Sequence, residues 1–580
     1  MKPTGTSKLM WVSRGVTILG LMLVASFAFG QFGKMSRDLR NLPEGLPVDV
    51  IVQYRTTPTQ SHFDQVRAMG GSLRRDLRGV KAGAFRMPAE MLSVLAKDPN
   101  VAFISPDRPV QASTYSNNPD FYESAVFAQS SWNQYDGSGV GIAVIDSGIS
   151  NNGEFGSRVV YSQSFVSGQS STADAYGHGT HVAGIVAGGG LNSTGSNFSR
   201  TFVGVANNAN LINLRVLDQN GSGTDSAVIA AIQQAIALKS TYNIGVINLS
   251  LGRGVFESYT QDPLCQAVEA AWKAGIVVVV AAGNDGRNNA AGTSGYGTIN
   301  APGNDPYAIT VGAMKPEGTP DRSDDLIASY SSKGPTLFDH VVKPDLVAPG
   351  NQVISVLAST GATLYGSQNS IPTNYYNTNG STAASTAYFK LNGTSMAAAV
   401  VSGAAALMLE KTPTLTPDQL KARVMKTAYK NFLSYSTATD PTTGITYTDQ
   451  YDIFTVGAGY LDIQDAMQNN DLAPSTVGDA NSPTVAVDAS GNVYLVTASS
   501  VIWNGGSVLW GTSVVWGTSV LSGTNASGAS VLWGSSVVWG TSFSSGYSVL
   551  WGTSAASGSS VLWGTTSQSQ ANSVQIVGEQ

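Results

Sequence analysis

Residues 139–148 read Gly-Val-Gly-Ile-Ala-Val-Ile-Asp-Ser-Gly, an apolar run without polar alternation that ends on an acid and a glycine turn. A run of this kind is a strand buried on both faces, because a strand with one wet face alternates. Short, nearly continuous apolar runs recur at Leu211 to Leu217, Ile244 to Leu249 and Ile276 to Ala282, with helical stretches between them at Asp225 to Ser240 and Pro263 to Ala274. Buried strands joined by helices predict an α/β domain in three layers, with a mostly parallel central sheet. Ligand sites in such sheets gather beyond the carboxyl ends of the strands. Asp146 stands at one of these ends, although an aspartate there is by itself more often a turn or cap residue.

Three other stretches carry chemistry at similar places. Tyr176-Gly-His178-Gly-Thr-His181-Val-Ala-Gly184 puts two of the four histidines at the start of a small-residue helix. The spacing lacks the i, i+4 pair and intervening glutamate of a zinc hydrolase, so a metal site is not expected; capping histidines are the plain structural alternative. Leu391-Asn-Gly-Thr-Ser395-Met-Ala opens a second such helix. Ser395 there is either a helix cap or an exposed nucleophile whose own N–H faces a developing oxyanion, and the motif alone does not decide. Ala281-Ala-Gly283-Asn284-Asp follows the run Ile276 to Val280, and its asparagine is either an ordinary turn residue or a second oxyanion donor.

Taken together, Asp146, His178, Asn284 and Ser395, in that order on an α/β scaffold, resemble the subtilisin-like serine proteases, the subtilases; chymotrypsin and the α/β-hydrolases order their triads differently. The resemblance covers about residues 117 to 470 and extends to Asn248-Leu-Ser250-Leu251-Gly252, Gly221-Ser222-Gly223, Ser331-Ser-Lys-Gly334-Pro335 and Lys343-Pro-Asp-Leu-Val-Ala-Pro349-Gly350. It implies a serine endopeptidase with Asp146, His178 and Ser395 as its triad and Asn284 with the Ser395 N–H as its oxyanion hole. It also implies that Gly221, Ser222, Gly223 and Ser250, Leu251, Gly252 are edge strands that hold an extended peptide. No cofactor is implied for catalysis, and structural calcium is compatible with the family without being placed. Two departures stand out: Asn300 falls where many relatives carry glycine at the base of the primary pocket, and Ala397-Ala-Ala-Val-Val replaces a more frequent Ser/Thr-Pro-His-Val. Residues 355–387 read as an insertion.

The flanking regions read as separate modules. Lys2, Lys8 and Arg14, the apolar run Val16 to Phe29 and the small residues up to Gly30 form the layout of a cleavable signal peptide, assigned to residues 1–30, and imply export. At about 14 residues the run is shorter than the ~20 that span a bilayer. Residues 31–114 contain the alternating Val48 to Tyr54 and Arg55, Arg67, Arg74, Arg75, Arg78, Arg86 and Arg108. This stretch resembles the family's α+β propeptide, which assists folding, covers the active site and is removed by self-cleavage, here between Gln111 and Asn117.

The peptidase domain is assigned to residues 115–470 and a tail to 471–580. No lysine or arginine follows Lys430, and tryptophans at 503, 510, 516, 533, 539, 551 and 563 recur mostly every six or twelve residues, six of them before glycine. The tail is read as β-rich repeats that contact carbohydrate or a cell surface, or else as a disordered segment. A net charge of −6 argues against nucleic acid as partner, and Cys265, the sole cysteine, excludes an internal disulfide. The competing functions are a catalytically silent subtilase scaffold used for adhesion and a metal-dependent hydrolase.

Overall fold

In a computed structural model, residues 34–106, 121–507 and 579 are described, with short interruptions. The signal-type segment, the expected cleavage stretch and most of the Trp-Gly repeats lie outside the described residues. The chain divides into two compact units, Met1–Thr114 and Tyr115–Gln580.

The first unit is an antiparallel sheet of β1 (Pro47–Tyr54), β2 (Ser72–Leu77), β3 (Ala82–Pro88) and β4 (Val101–Pro106), in the order β2-β3-β1-β4. The alternation in β1 turns Val50 and Val52 inward against Phe63 and Val66 of helix α1 (Gln60–Ala68). Phe85, Val101 and Ile104 complete this core. It is the α+β module expected from the alternating opening strand.

The second unit is built on β5 (Gly141–Asp146), β6 (Val159–Ser164), β7 (Asn210–Arg215), β8 (Ile244–Leu249), β9 (Val277–Ala281) and β10 (Ile309–Lys315). These strands lie parallel in the order β10-β9-β8-β5-β7-β6. Beyond β10, β11 (Leu326–Ile327) pairs antiparallel and β12 (Leu346–Pro349) parallel. Every residue of β5, β9 and β10 is buried, as continuous apolar runs require.

The crossovers begin at chemically defined caps. Thr224 accepts from Ala227 N at 3.3 Å ahead of α3 (Asp225–Tyr242), and Asp262 accepts from Leu264 N at 2.9 Å ahead of α4 (Pro263–Lys273). Both helices begin at the residue expected from sequence. Between β6 and β7 the chain forms α2 (His178–Ala187), and much later α5 (Thr394–Lys411), whose first fifteen residues are all buried.

Residues 355–387, read as an insertion, are mostly exposed or half-buried but are anchored to this unit by a small sheet. β13 (Val353–Val356), β14 (Ser370–Pro372) and β15 (Ala384–Leu391) form an antiparallel sheet. Tyr376 and Tyr388 set their rings against Phe202. Tyr376 is the buried tyrosine of the inserted segment.

Packing also runs past the expected boundary at residue 470. Asp418, buried near the start of α6 (Pro417–Thr427), accepts from Trp272 Nε1 at 2.8 Å and from the N–H groups of Gly478 and Ala480, each at 2.9 Å. Val342 N and Val485 N then exchange hydrogen bonds with the main chain of Pro483 and His340. Replacing Asp418 by alanine strands three buried donors and is expected to cost about 3 kcal/mol or more, read as a clear fall in Tm by calorimetry.

Candidate active site

Asp146 is the last residue of β5 and is 1% exposed. One of its carboxylate oxygens accepts from Ser147 N at 2.7 Å, and the two oxygens lie 2.9 and 3.1 Å from His178 Nδ1. His178 opens α2, fully buried. The pair is close because α2 begins almost in contact with the turn after β5. A Cβ on Gly179 would stand 2.3 Å from the Gly148 carbonyl oxygen and 3.1 Å from Asp146 Oδ1, so only glycine permits the approach.

Sequence reading missed the residue that holds this approach in place. Asp174 takes Ser147 Oγ at 2.8 Å, Gly177 N at 2.7 Å and Thr180 N at 2.8 Å, and Ser147 Oγ in turn accepts from Gly179 N at 2.9 Å. An acid four residues ahead of a helix start was the available signal. Burial pushes the Asp174 carboxyl above its ordinary range, while the N–H and hydroxyl donors pull it back.

His181 has no part in this pair. Its Nε2 lies 3.1 Å from the Val353 carbonyl oxygen, its ring stands edge-on to Phe389 at 5.0 Å, and burial, followed by the nearby His178, lowers its pKa to about 3. The second histidine is a neutral packing residue. Among the described residues, no group of three or more histidine, cysteine, aspartate or glutamate side chains gathers to hold a metal.

Ser395 is the second residue of α5 and is 2% exposed. Its hydroxyl donates to the Ser250 carbonyl at 3.2 Å, and Ser250 Oγ donates back to the Ser395 carbonyl at 2.8 Å. Asn248 Nδ2 donates to Ser250 Oγ, and Asn248 Oδ1 accepts from Ser402 Oγ one helical segment further on, both at 2.9 Å. The stretch from Asn248 to Gly252 therefore braces the start of α5.

Asn284 lies three residues beyond β9. Its Oδ1 accepts from Thr394 N at 2.9 Å and Thr394 Oγ1 at 3.1 Å, which commits the oxygen and turns the amide N–H₂ the other way. Gly393, at φ 140°, makes room for that amide: a Cβ there would stand 3.1 Å from Asn284 Nδ2. Asp146 and His178 thus form one group and Ser395 with Asn284 a second, at the N-terminal starts of α2 and α5, which pack against each other. Asp146 ends the parallel strand β5 and Asn284 follows the parallel strand β9.

The other expected residues occupy the connections after β7 and β8. Gly221, Ser222 and Gly223 precede α3, and Ser250, Leu251 and Gly252 follow β8; none belongs to a strand of the central sheet. Asn300 stands between this second segment and the asparagine loop. Cβ atoms on Gly252 and Gly283 would meet its Cβ at 3.2 Å and its Nδ2 at 2.7 Å. Asn300 Nδ2 donates to Asp285 Oδ2 at 3.2 Å.

A three-layered α/β unit with a buried Asp–His pair at the start of one helix and a serine at the start of the helix packed against it is that of a serine-type endopeptidase. The chain belongs to the subtilase family: the Peptidase S8 subtilase family model matches residues 137–459. It is 32% identical to subtilisin E of Bacillus subtilis over 424 residues, 73% of this chain and 94% of the relative. It is 37% identical to the serine protease AprX of the same organism over 291 residues, 49% of this chain and 60% of AprX. A cold adapted subtilisin-like serine proteinase of known structure is 31% identical, covering 54% of this chain and 89% of its own, at a TM-score of 0.38.

Burial raises the Asp285 pKa to about 7, partly offset by the bond from Asn300. The native state therefore keeps a proton there that the unfolded chain has lost. This group's contribution is full below about pH 4 and is lost as pH rises towards 7. Asp285→Asn should flatten that part of the Tm-against-pH curve, and an unchanged slope would locate the titration elsewhere.

Proposed function

We propose that the chain is a secreted endopeptidase, made as a precursor, that cleaves extended protein substrates through Asp146, His178 and Ser395. The observation that carries this reading is the buried hydrogen-bonded pair of Asp146 and His178 Nδ1, at 2.9 Å. A carboxylate on Nδ1 holds the imidazole in the tautomer whose Nε2 accepts a proton, and it stabilises the imidazolium that follows.

In this reading Ser395 Oγ turns from the Ser250 carbonyl and attacks the scissile carbonyl carbon. Its proton passes to His178 Nε2, and the carbonyl π pair moves to the oxygen. The N–H₂ of Asn284 and the N–H of Ser395 at the start of α5 stabilise that oxyanion. His178 then returns the proton to the leaving amine as the C–N bond breaks, and water hydrolyses the acyl-enzyme by the same steps.

The segments at Gly221 to Gly223 and Ser250 to Gly252 hold the substrate by main-chain hydrogen bonds, a mode that tolerates many sequences. Asn300, placed between Gly252 and Gly283, stands where the resemblance puts the base of the primary pocket.

The compact unit ending at Thr114 is the propeptide, serving as foldase and intramolecular inhibitor, with self-cleavage between Gln111 and Asn117. Its resemblance to the family's propeptide and the division of the chain at that point support this. The signal-type start supports export; among the described residues no helix is long and apolar enough to cross a membrane. The Trp-Gly spacing supports a tail that retains the enzyme at a carbohydrate surface.

A fluorophosphonate should label Ser395 of the secreted protein, with a new N-terminus near residue 115, and Ser395→Ala should abolish labelling, processing and turnover. A folded, unlabelled wild-type protein would turn the reading towards a silent scaffold. Asn284→Ala should lower kcat about 10²–10³-fold with little change in KM, the magnitude known for removing this donor in subtilisin. Steady-state kinetics on a peptide ester decides it.

A further inference from the structure

The loop that carries Asn284 is tied down by a residue from the other end of the unit. Glu579 lies far along the chain, after the repeats, yet its side chain is only 2% exposed. Its carboxylate accepts from Arg287 Nη2 at 2.9 Å, from Ser329 N at 2.8 Å and from Ser329 Oγ. Its main chain is read by one side chain in both directions: Glu579 N donates to Asn351 Oδ1 at 2.9 Å, and Asn351 Nδ2 donates to the Glu579 carbonyl at 2.8 Å. Burying a carboxylate is costly unless it is paired and hydrogen-bonded, and here one oxygen has a cation and two donors.

The three segments that Glu579 joins all position the oxyanion side of the site. Arg287 is three residues beyond Asn284 in the same loop, and Gly286 N between them donates to the Tyr330 carbonyl at 2.9 Å. The Ser329 segment continues to Ser332, whose Oγ accepts from Asp285 N at 3.0 Å and whose N donates to the Gly283 carbonyl at 3.0 Å. Asn351 follows Gly350, whose carbonyl accepts from Gly393 N at 2.8 Å and from Tyr330 Oη at 3.1 Å. Asn284 is thus held on one side by Thr394 and on the other by a network that closes on Glu579.

We propose that Glu579 is a positioning residue for the oxyanion amide, coupling the end of the repeat region to catalysis. The proposal rests on the reading of Asn284 as an oxyanion donor. Without Glu579, Arg287 and Ser329 N lose their shared acceptor, and the Asn284 loop keeps only the Gly286–Tyr330 and Arg287–Ser329 bonds as its links towards the Asn351 turn. A displaced donor loses transition-state stabilisation and leaves ground-state binding largely intact, so kcat falls and KM does not.

The test is a double-mutant cycle in the full chain, with Tm recorded for each variant. Glu579→Ala should lower kcat about tenfold with KM within about twofold, and in the Asn284→Ala background it should add less than about twofold. An unchanged kcat, or the same loss in both backgrounds, would overturn the proposal, since a merely structural role gives an additive loss. If Asn284→Ala alone leaves kcat intact, the oxyanion reading itself has failed, which is a separate outcome.

If Glu579→Ala does not fold, a chain ending at residue 570 is assayed with and without a synthetic peptide of residues 571–580. Recovery of kcat on adding the peptide supports the proposal. A folded, truncated enzyme with wild-type kcat, or one that the peptide does not restore, overturns it.

Discussion

Helix α2 starts so near the turn after β5 that no side chain fits at position 179, and the pairing of Asp146 with His178 follows from that approach. Asp146 is delivered by a strand and His178 by the first residue of a helix, so their hydrogen bond depends on how closely the two elements meet. The approach is held by donors on backbone and hydroxyl groups that converge on Asp174, and these are short bonds in a buried setting. A hydrogen-bonded frame of this kind fixes where the helix start, and with it the imidazole, stands.

The serine side of the site is built differently. Here a largely buried helix, α5, packs against the sheet, and its N-terminus brings Thr394 against Asn284 in the loop after β9. Thr394 takes up the oxygen of Asn284, and Ser250 takes up the hydroxyl of Ser395. The Asn284 amide is thereby oriented, while the Ser395 hydroxyl rests on the Ser250 carbonyl. Preorganised dipoles need no rearrangement when charge develops, which is why such donors contribute so much to acyl transfer.

Distant segments support this arrangement more than their composition indicates. The stretch before Ser395 forms its own sheet, and residues 478–485 satisfy Asp418 and pair with the segment around His340. Glu579 extends the same pattern to the Asn284 loop. The subtilase unit is therefore completed by chain that lies beyond the part matched by the family model.

Much of this was legible in the residues themselves. Continuous β-branched runs cannot be half-wet strands, so the parallel sheet and its helices followed from local pattern, and α3 and α4 begin where Asp225 and Pro263 place them. Asp146, His178, Asn284 and Ser395 could be selected because each sits at a strand end or helix start, and the order of the four is informative. The separate α+β module was readable from the alternation in β1. Asp174, the closure of Glu579 on Arg287 and Ser329, the neutral role of His181 and the packing of residues 355–387 were not. Each depends on contacts between segments tens to hundreds of residues apart. Local sequence determines which elements form and what their ends carry; only the tertiary structure decides which of those ends meet, because hydrogen bonds and close packing act through space and leave no periodicity in the chain.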